Sequence, residues 1–121
     1  HRVHYERLIA SRTTPPKAIR LSGGAARSAV WSQMFADVMQ TPIETIVADE
    51  AGALGCAMAG AVATGAYDDM DDAVAHMVKV GASYQPNTAL KDLYDRKYAL
   101  YRKTVACLED LWDEMGAFAR V

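Results

Sequence analysis

The spacing of apolar residues changes along the chain, and each change marks an element. Val3, Tyr5, Leu8 and Ile9 recur at helical intervals, so residues 1–10 are predicted to be the end of a helix. That helix opens without a capping residue, which predicts further chain before His1. Thr13-Thr14-Pro15-Pro16 stops it, because proline fixes φ and removes a backbone donor. Lys17 to Leu21 is a short strand with Ile19 and Leu21 on one face. Ser22-Gly23-Gly24-Ala25 then makes a tight turn, and a helix is expected over 26–40. Its face is Val30, Trp31, Met34, Phe35, Val38 and Met39, closed by Thr41-Pro42. Residues 43–47 alternate as a second strand.

From 51 to 63 nearly every residue is small, and Gly65 is the expected stop of that helix. Glycine in a helix costs about 1 kcal/mol relative to alanine. Gly52, Gly55 and Gly60 among so many alanines therefore predict a buried helix that another backbone approaches closely. Asp49 and Glu50 place negative charge at its start, where the helix dipole favours it. An acidic turn over 67–72 leads into a short helix over 71–80, and 81–88 reads as irregular. Residues 89–115 read as one long helix. On it Tyr94, Tyr98, Tyr101, Val105, Leu108, Trp112 and Met115 are spaced 4, 3, 4, 3, 4, 3. Packing of this stripe on the body of the domain is the expectation.

The order of elements is that of an α/β protein. Two strands are too few for a stable sheet, so the missing ones are expected upstream of His1. The composition agrees with a folded domain: 121 residues, 51% hydrophobic and 23% charged, which excludes intrinsic disorder. A net charge of −2 leaves no basic surplus for nucleic acid or an anionic membrane, and neither partner is expected. Cys56 and Cys107 have no paired spacing and read as the reduced thiols of a cytoplasmic protein.

The strand, glycine pair and helix around Ser22 to Ala25 are the strongest chemical signal. The pair serves either a plain structural turn or the approach of a nucleotide to a helix N-terminus. It fits neither the Walker spacing nor a Gly-x-Gly-x-x-Gly fingerprint. His1, His4 and Glu6, the lone His76, and the acids Asp68, Asp69, Asp71 and Asp72 lack the partners of a metal site and read as surface residues. No nucleophile and base stand together.

The run from Ile19 to Ser28, then Trp31, Gln33 to Val38, Pro42, Glu44 and Glu50 to Ala57, resembles the C-terminal domain of the FGGY carbohydrate kinases. Gly23-Gly24-Ala25-x-x-Ser28-x-x-Trp31 and Tyr94-x-x-Lys97-Tyr98 are similar to the L-xylulose kinase branch and its xylulokinase-like members. The resemblance implies part of an actin/hexokinase-like (ribonuclease H-like) ATPase fold. Residues 1–121 would be the C-terminal portion of the C-terminal lobe, without the N-terminal lobe. It implies ATP with Mg2+, and a small sugar of the ketopentose type as acceptor. Gly23 and Gly24 would approach the ribose and α-phosphate, Ala25 would continue the turn, and Ser28 would stand where relatives carry an asparagine facing the adenine. The catalytic aspartate and the phosphate-binding hairpin would lie upstream, so no catalytic residue is assigned here and the chain alone is expected to be inactive. The alternative is a non-catalytic binding or assembly module that uses the aromatic stripe of the last helix, with a homo-oligomer as one possible assembly.

Overall fold

Ile19–Leu21 forms β1 and Ile43–Ile46 forms β2, paired in parallel with Ile19 opposite Ile43 and Leu21 opposite Thr45. A parallel pair requires a crossover, and helix α2, Ala29–Met39, supplies it. Helix α1, Arg2–Ala10, precedes this unit and packs against α2. The Tyr5 hydroxyl lies 2.8 Å from Thr41 Oγ1, which fastens α1 to the turn after α2. The structure is a computed structural model and describes residues 1–48 and 50–118. Asp49, expected at the start of the small-residue helix, lies outside the described residues.

The sheet has three strands in the order β1-β2-β3, and the third, Val80–Tyr84, corrects the reading of 81–88 as irregular. β3 runs antiparallel to β2, with Ile43 opposite Tyr84 and Ile46 opposite Val80, and the register slips between Glu44 and Ile46. At the slip the Thr45 side chain stands in for backbone: its Oγ1 accepts from Ala82 N at 3.0 Å and donates to Ala82 O at 3.3 Å. A Cβ at Gly81 would lie 3.0 Å from that same Oγ1, which is why a glycine stands there.

Helix α3, Ala51–Ala63, ends in a Schellman motif. Gly65, at φ 75°, donates to Val62 O, and Ala66 N donates to Ala61 O. Helix α4, Met70–Met77, packs against α3 and is capped by Asp69, whose side chain accepts from Asp72 N at 2.8 Å. The expected burial of α3 is not found. It has no buried residue, and a Cβ built at Gly52, Gly55 or Gly60 meets nothing within 4 Å among the described residues. Its small face is an open surface.

The core of residues 1–88 is narrow. Ile43 is the largest fully buried side chain, at 1% exposure, joined by Ala36 and Ala73. Ser32, Asp37, Thr41 and Thr45 are buried with them, so polar groups share the interior and require partners. From Ala89 the chain forms a second compact unit. The expected single helix is two, α5 (Lys91–Cys107) and α6 (Glu109–Phe118). The joint is a tightened turn in which Leu108 N donates to Val105 O and Leu111 N to Leu108 O. Leu108 stays on the right-handed side, at φ −97° and ψ −1°, but outside regular α-helical angles. Its stripe is not buried: Tyr101, Trp112 and Met115 are all more than half exposed.

Candidate functional site

β1 ends at Leu21, and the chain must turn sharply to enter α2. Gly23 makes the turn at φ 78°, ψ −160°, a conformation that essentially only glycine occupies. Gly24–Arg27 follows as a single 3₁₀ turn, in which Ala26 N donates to Gly23 O at 3.1 Å and Ser28 N to Ala25 O at 3.2 Å. The helix expected from residue 26 therefore starts at Ala29. Ser28 is extended, at φ −106° and ψ 114°, and its Oγ accepts the Trp31 N–H at 3.3 Å as the N-cap. The physical reason is the glycine turn itself: it delivers the chain at an angle that a serine cap can convert to helix, after one tight turn.

Gly24, Ala25, Ser28 and Trp31 line a hollow of about 280 Å³. Three of the four residues expected from the sequence thus meet at one surface; Gly23 shapes the turn behind them. Trp31, read from the sequence as part of the apolar face of α2, is 57% exposed and forms a wall of this hollow. Its position three residues after the cap is the signal that places it there. A Cβ built at Gly24 meets nothing within 4 Å, so the floor of the hollow is open to an approaching group. Helix geometry leaves the first amides of α2 without intrahelical acceptors, and the helix dipole adds partial positive charge at the same end.

Charge near the turn is paired. Arg27 Nη2 lies 3.8 Å from Glu50 Oε1 at the start of α3, and Arg20 lies 3.6 Å from Glu44 across the parallel strands. The Arg27–Glu50 pair is largely exposed and the Arg20–Glu44 pair partly so, and at these distances both contribute little to stability. A second hollow of about 390 Å³ runs between α1, β1 and α2, and Ala25 belongs to both. His1 and His4 line it beside Tyr5 and Phe35. Among the described residues no three His, Cys, Asp or Glu side chains are placed to hold a metal ion, and no helix is long and apolar enough to cross a membrane.

Asp37, which sequence reasoning does not single out, is the main polar anchor of α2. Only 5% exposed, its Oδ1 accepts from Gln33 Nε2 and from Asn87 N, both at 2.8 Å. The available signal was its helical spacing to two amides, Gln33 four residues before it and Gln40 three after.

Residues 1–64 match the FGGY family of carbohydrate kinases, C-terminal domain. The chain belongs to this family. It is 36% identical over 104 residues to erythritol kinase of Brucella abortus (strain 2308), covering 84% of this chain and 20% of that protein. It is 34% identical over 109 residues to L-xylulose/3-keto-L-gulonate kinase of Escherichia coli (strain K12), covering 90% and 22%. The ligand-bound xylulose kinase of Lactobacillus acidophilus superposes with a TM-score of 0.75 over 88% of this chain and 22% of that one, at 23% identity, a likeness of fold. The chain therefore spans about a fifth of the length of the curated relatives it matches. The α/β architecture with its mixed three-stranded sheet is that of the FGGY C-terminal domain.

Proposed function

We propose that residues 1–121 are part of the C-terminal lobe of an ATP-dependent sugar kinase, and that Gly23, Gly24, Ala25 and Ser28 form one wall of its adenine-nucleotide subsite. The observation that carries this reading is the open hollow at Gly24, Ala25 and Ser28, seated on the N-terminus of α2. Gly23 sets the angle of the turn, and Gly24 presents backbone without a side chain, which suits the ribose and α-phosphate. The Ser28 hydroxyl accepts from Trp31 N and keeps its own proton to donate toward the base. Magnesium travels with the triphosphate as part of the substrate, and no residue of this chain is assigned to it.

The parent reaction is transfer of the γ-phosphate to a hydroxyl of a small polyhydroxylated acceptor. Relatives named for erythritol and L-xylulose support that class, and a ketopentose such as xylulose is the acceptor we favour. Phosphoryl transfer depends on positioning and on charge stabilisation from both sides of the phosphate chain. This chain contributes a nucleotide wall and no general base, so by itself it binds without transferring.

Titration of the 15N-labelled chain with ADP tests the proposal. Amide shifts concentrated at Gly23 to Ser28 and the Trp31 indole are expected, with weak affinity because a one-sided site buries little of the ligand. No shift at these amides at high ADP would overturn the subsite, and sugar phosphorylation by the chain alone would overturn its inactivity.

A further inference from the structure

Trp31 is the third residue of α2, and a helical side chain leans back toward the helix N-terminus, over the turn before its own Cα. That turn is the capped start of α2, where the Ser28 Oγ accepts the Trp31 N–H at 3.3 Å. The indole is thereby carried over the exit of the glycine turn, and it lines the hollow of about 280 Å³ with Gly24, Ala25 and Ser28. The Phe35 ring, one turn further along α2, braces it, with the ring centroids 6.3 Å apart and the planes at 48°. Trp31 and Phe35 also border a separate hollow of about 200 Å³ between α1 and α2, so the indole is a partition between two hollows. All of these groups lie within residues 1–88.

A flat π-surface beside a glycine whose built Cβ meets nothing within 4 Å suits a planar ring. Among the lining side chains only the Ser28 hydroxyl and the indole N–H are polar, so the hollow offers area to the face of a ring and few side-chain hydrogen bonds to its edge. We propose that Trp31 is the platform on which the nucleotide base stacks, an inference that rests on the nucleotide wall argued above. Stacking rewards the area of the ring face rather than the pattern of its edge. A purine lays two fused rings on the indole and a pyrimidine one. This wall therefore selects purine over pyrimidine nucleotides, and with a single hydroxyl on its lining it distinguishes adenine from guanine little.

The test uses the full chain with Trp112 replaced by Phe, which leaves Trp31 as the one indole. Titration with ADP should quench Trp31 fluorescence and move the base protons of ADP upfield, the ring-current signature of a face-on stack. GDP should bind within about twofold of ADP, and UDP more weakly by about threefold or more. Trp31→Leu keeps an apolar side chain against Phe35 and the backbone N–H that Ser28 caps. It should weaken ADP by about fivefold or more, while the amides of Gly23 to Ser28 still shift. Trp31→Phe keeps a ring and should bind ADP within about twofold of the parent.

Shifts at those amides with the base protons unmoved, or with Trp31→Leu binding as tightly as the parent, would overturn the stack and leave the nucleotide wall standing. UDP binding as tightly as ADP would do the same. No amide shift in the parent chain would overturn both. The base-proton shifts are read with Trp31 in place, so they decide the matter even where Trp31→Leu does not fold.

Discussion

The carboxylate of Asp37 accepts the backbone N–H of Asn87 at 2.8 Å, joining helix α2 to a residue 50 positions later. The same Oδ1 takes the Gln33 side-chain amide, whose nitrogen also donates to Gln85 O at 2.8 Å. Gln40 Nε2 adds a bond to the Asp37 carbonyl, also at 2.8 Å. The segment after β3 is thus held to α2 by hydrogen bonds rather than by large apolar contacts, in a domain whose core is small.

Loss of that acceptor should be costly. Asp37→Ala leaves the Asn87 N–H without its carboxylate partner and is expected to lower stability by about 1–3 kcal/mol. Asp37→Asn keeps an oxygen at the same place and should cost less than half as much. Urea unfolding followed by Trp31 fluorescence, with Trp112 replaced by Phe, reads residues 1–88 directly. Equal losses for the two variants would show that the charge, not the acceptor geometry, matters.

The glycine pair separates fold from ligand. Gly23 sits at φ 78°, ψ −160°, so Gly23→Ala should cost about 1–3 kcal/mol by backbone strain alone. Gly24 has ordinary angles and open space around a built Cβ, so Gly24→Ala should leave stability within about 0.5 kcal/mol. On the proposed nucleotide wall, however, the methyl added by Gly24→Ala stands where the ligand approaches, and ADP affinity should fall severalfold. Unfolding curves and ADP titrations on the same pair of variants check both halves.

Sequence made the first half of the chain legible where the chemistry of turns is strong. The prolines at 15 and 16, the glycine pair and Thr41-Pro42 bracket β1, α2 and β2 closely. Legibility failed where tertiary contacts decide. β3 is Val-Gly-Ala-Ser-Tyr, a weak strand former, and it pairs because Thr45 completes the ladder through its side chain. The joint at Leu108 has neither proline nor glycine to announce it. Small residues on α3 implied a close neighbour by a sound rule, yet no backbone within the described residues fills that role.

Ser32 is fully buried, and its Oγ has no hydrogen-bond partner among the described residues. Burying an unpaired hydroxyl is unfavourable, and alanine is also the better helix former. Ser32→Ala is therefore expected to leave the domain as stable or to stabilise it by about 1 kcal/mol. A marked loss in the urea midpoint would mean that the hydroxyl holds a partner such as ordered water.

Ser28 carries two duties that can be set apart. As N-cap it accepts the Trp31 N–H at 3.3 Å, so Ser28→Ala should cost about 1 kcal/mol and loosen the start of α2. Asparagine caps as well as serine does, so Ser28→Asn should hold stability within a few tenths of a kcal/mol, while its longer amide reaches further into the hollow beside Trp31. If Ser28 faces the base of a bound nucleotide, Ser28→Asn should bind ADP at least as tightly as the parent. Ser28→Ala should bind it more weakly by more than its loss of stability explains. Titrations at a temperature where all three chains are folded isolate that difference, and identical affinities across the three would confine Ser28 to the cap.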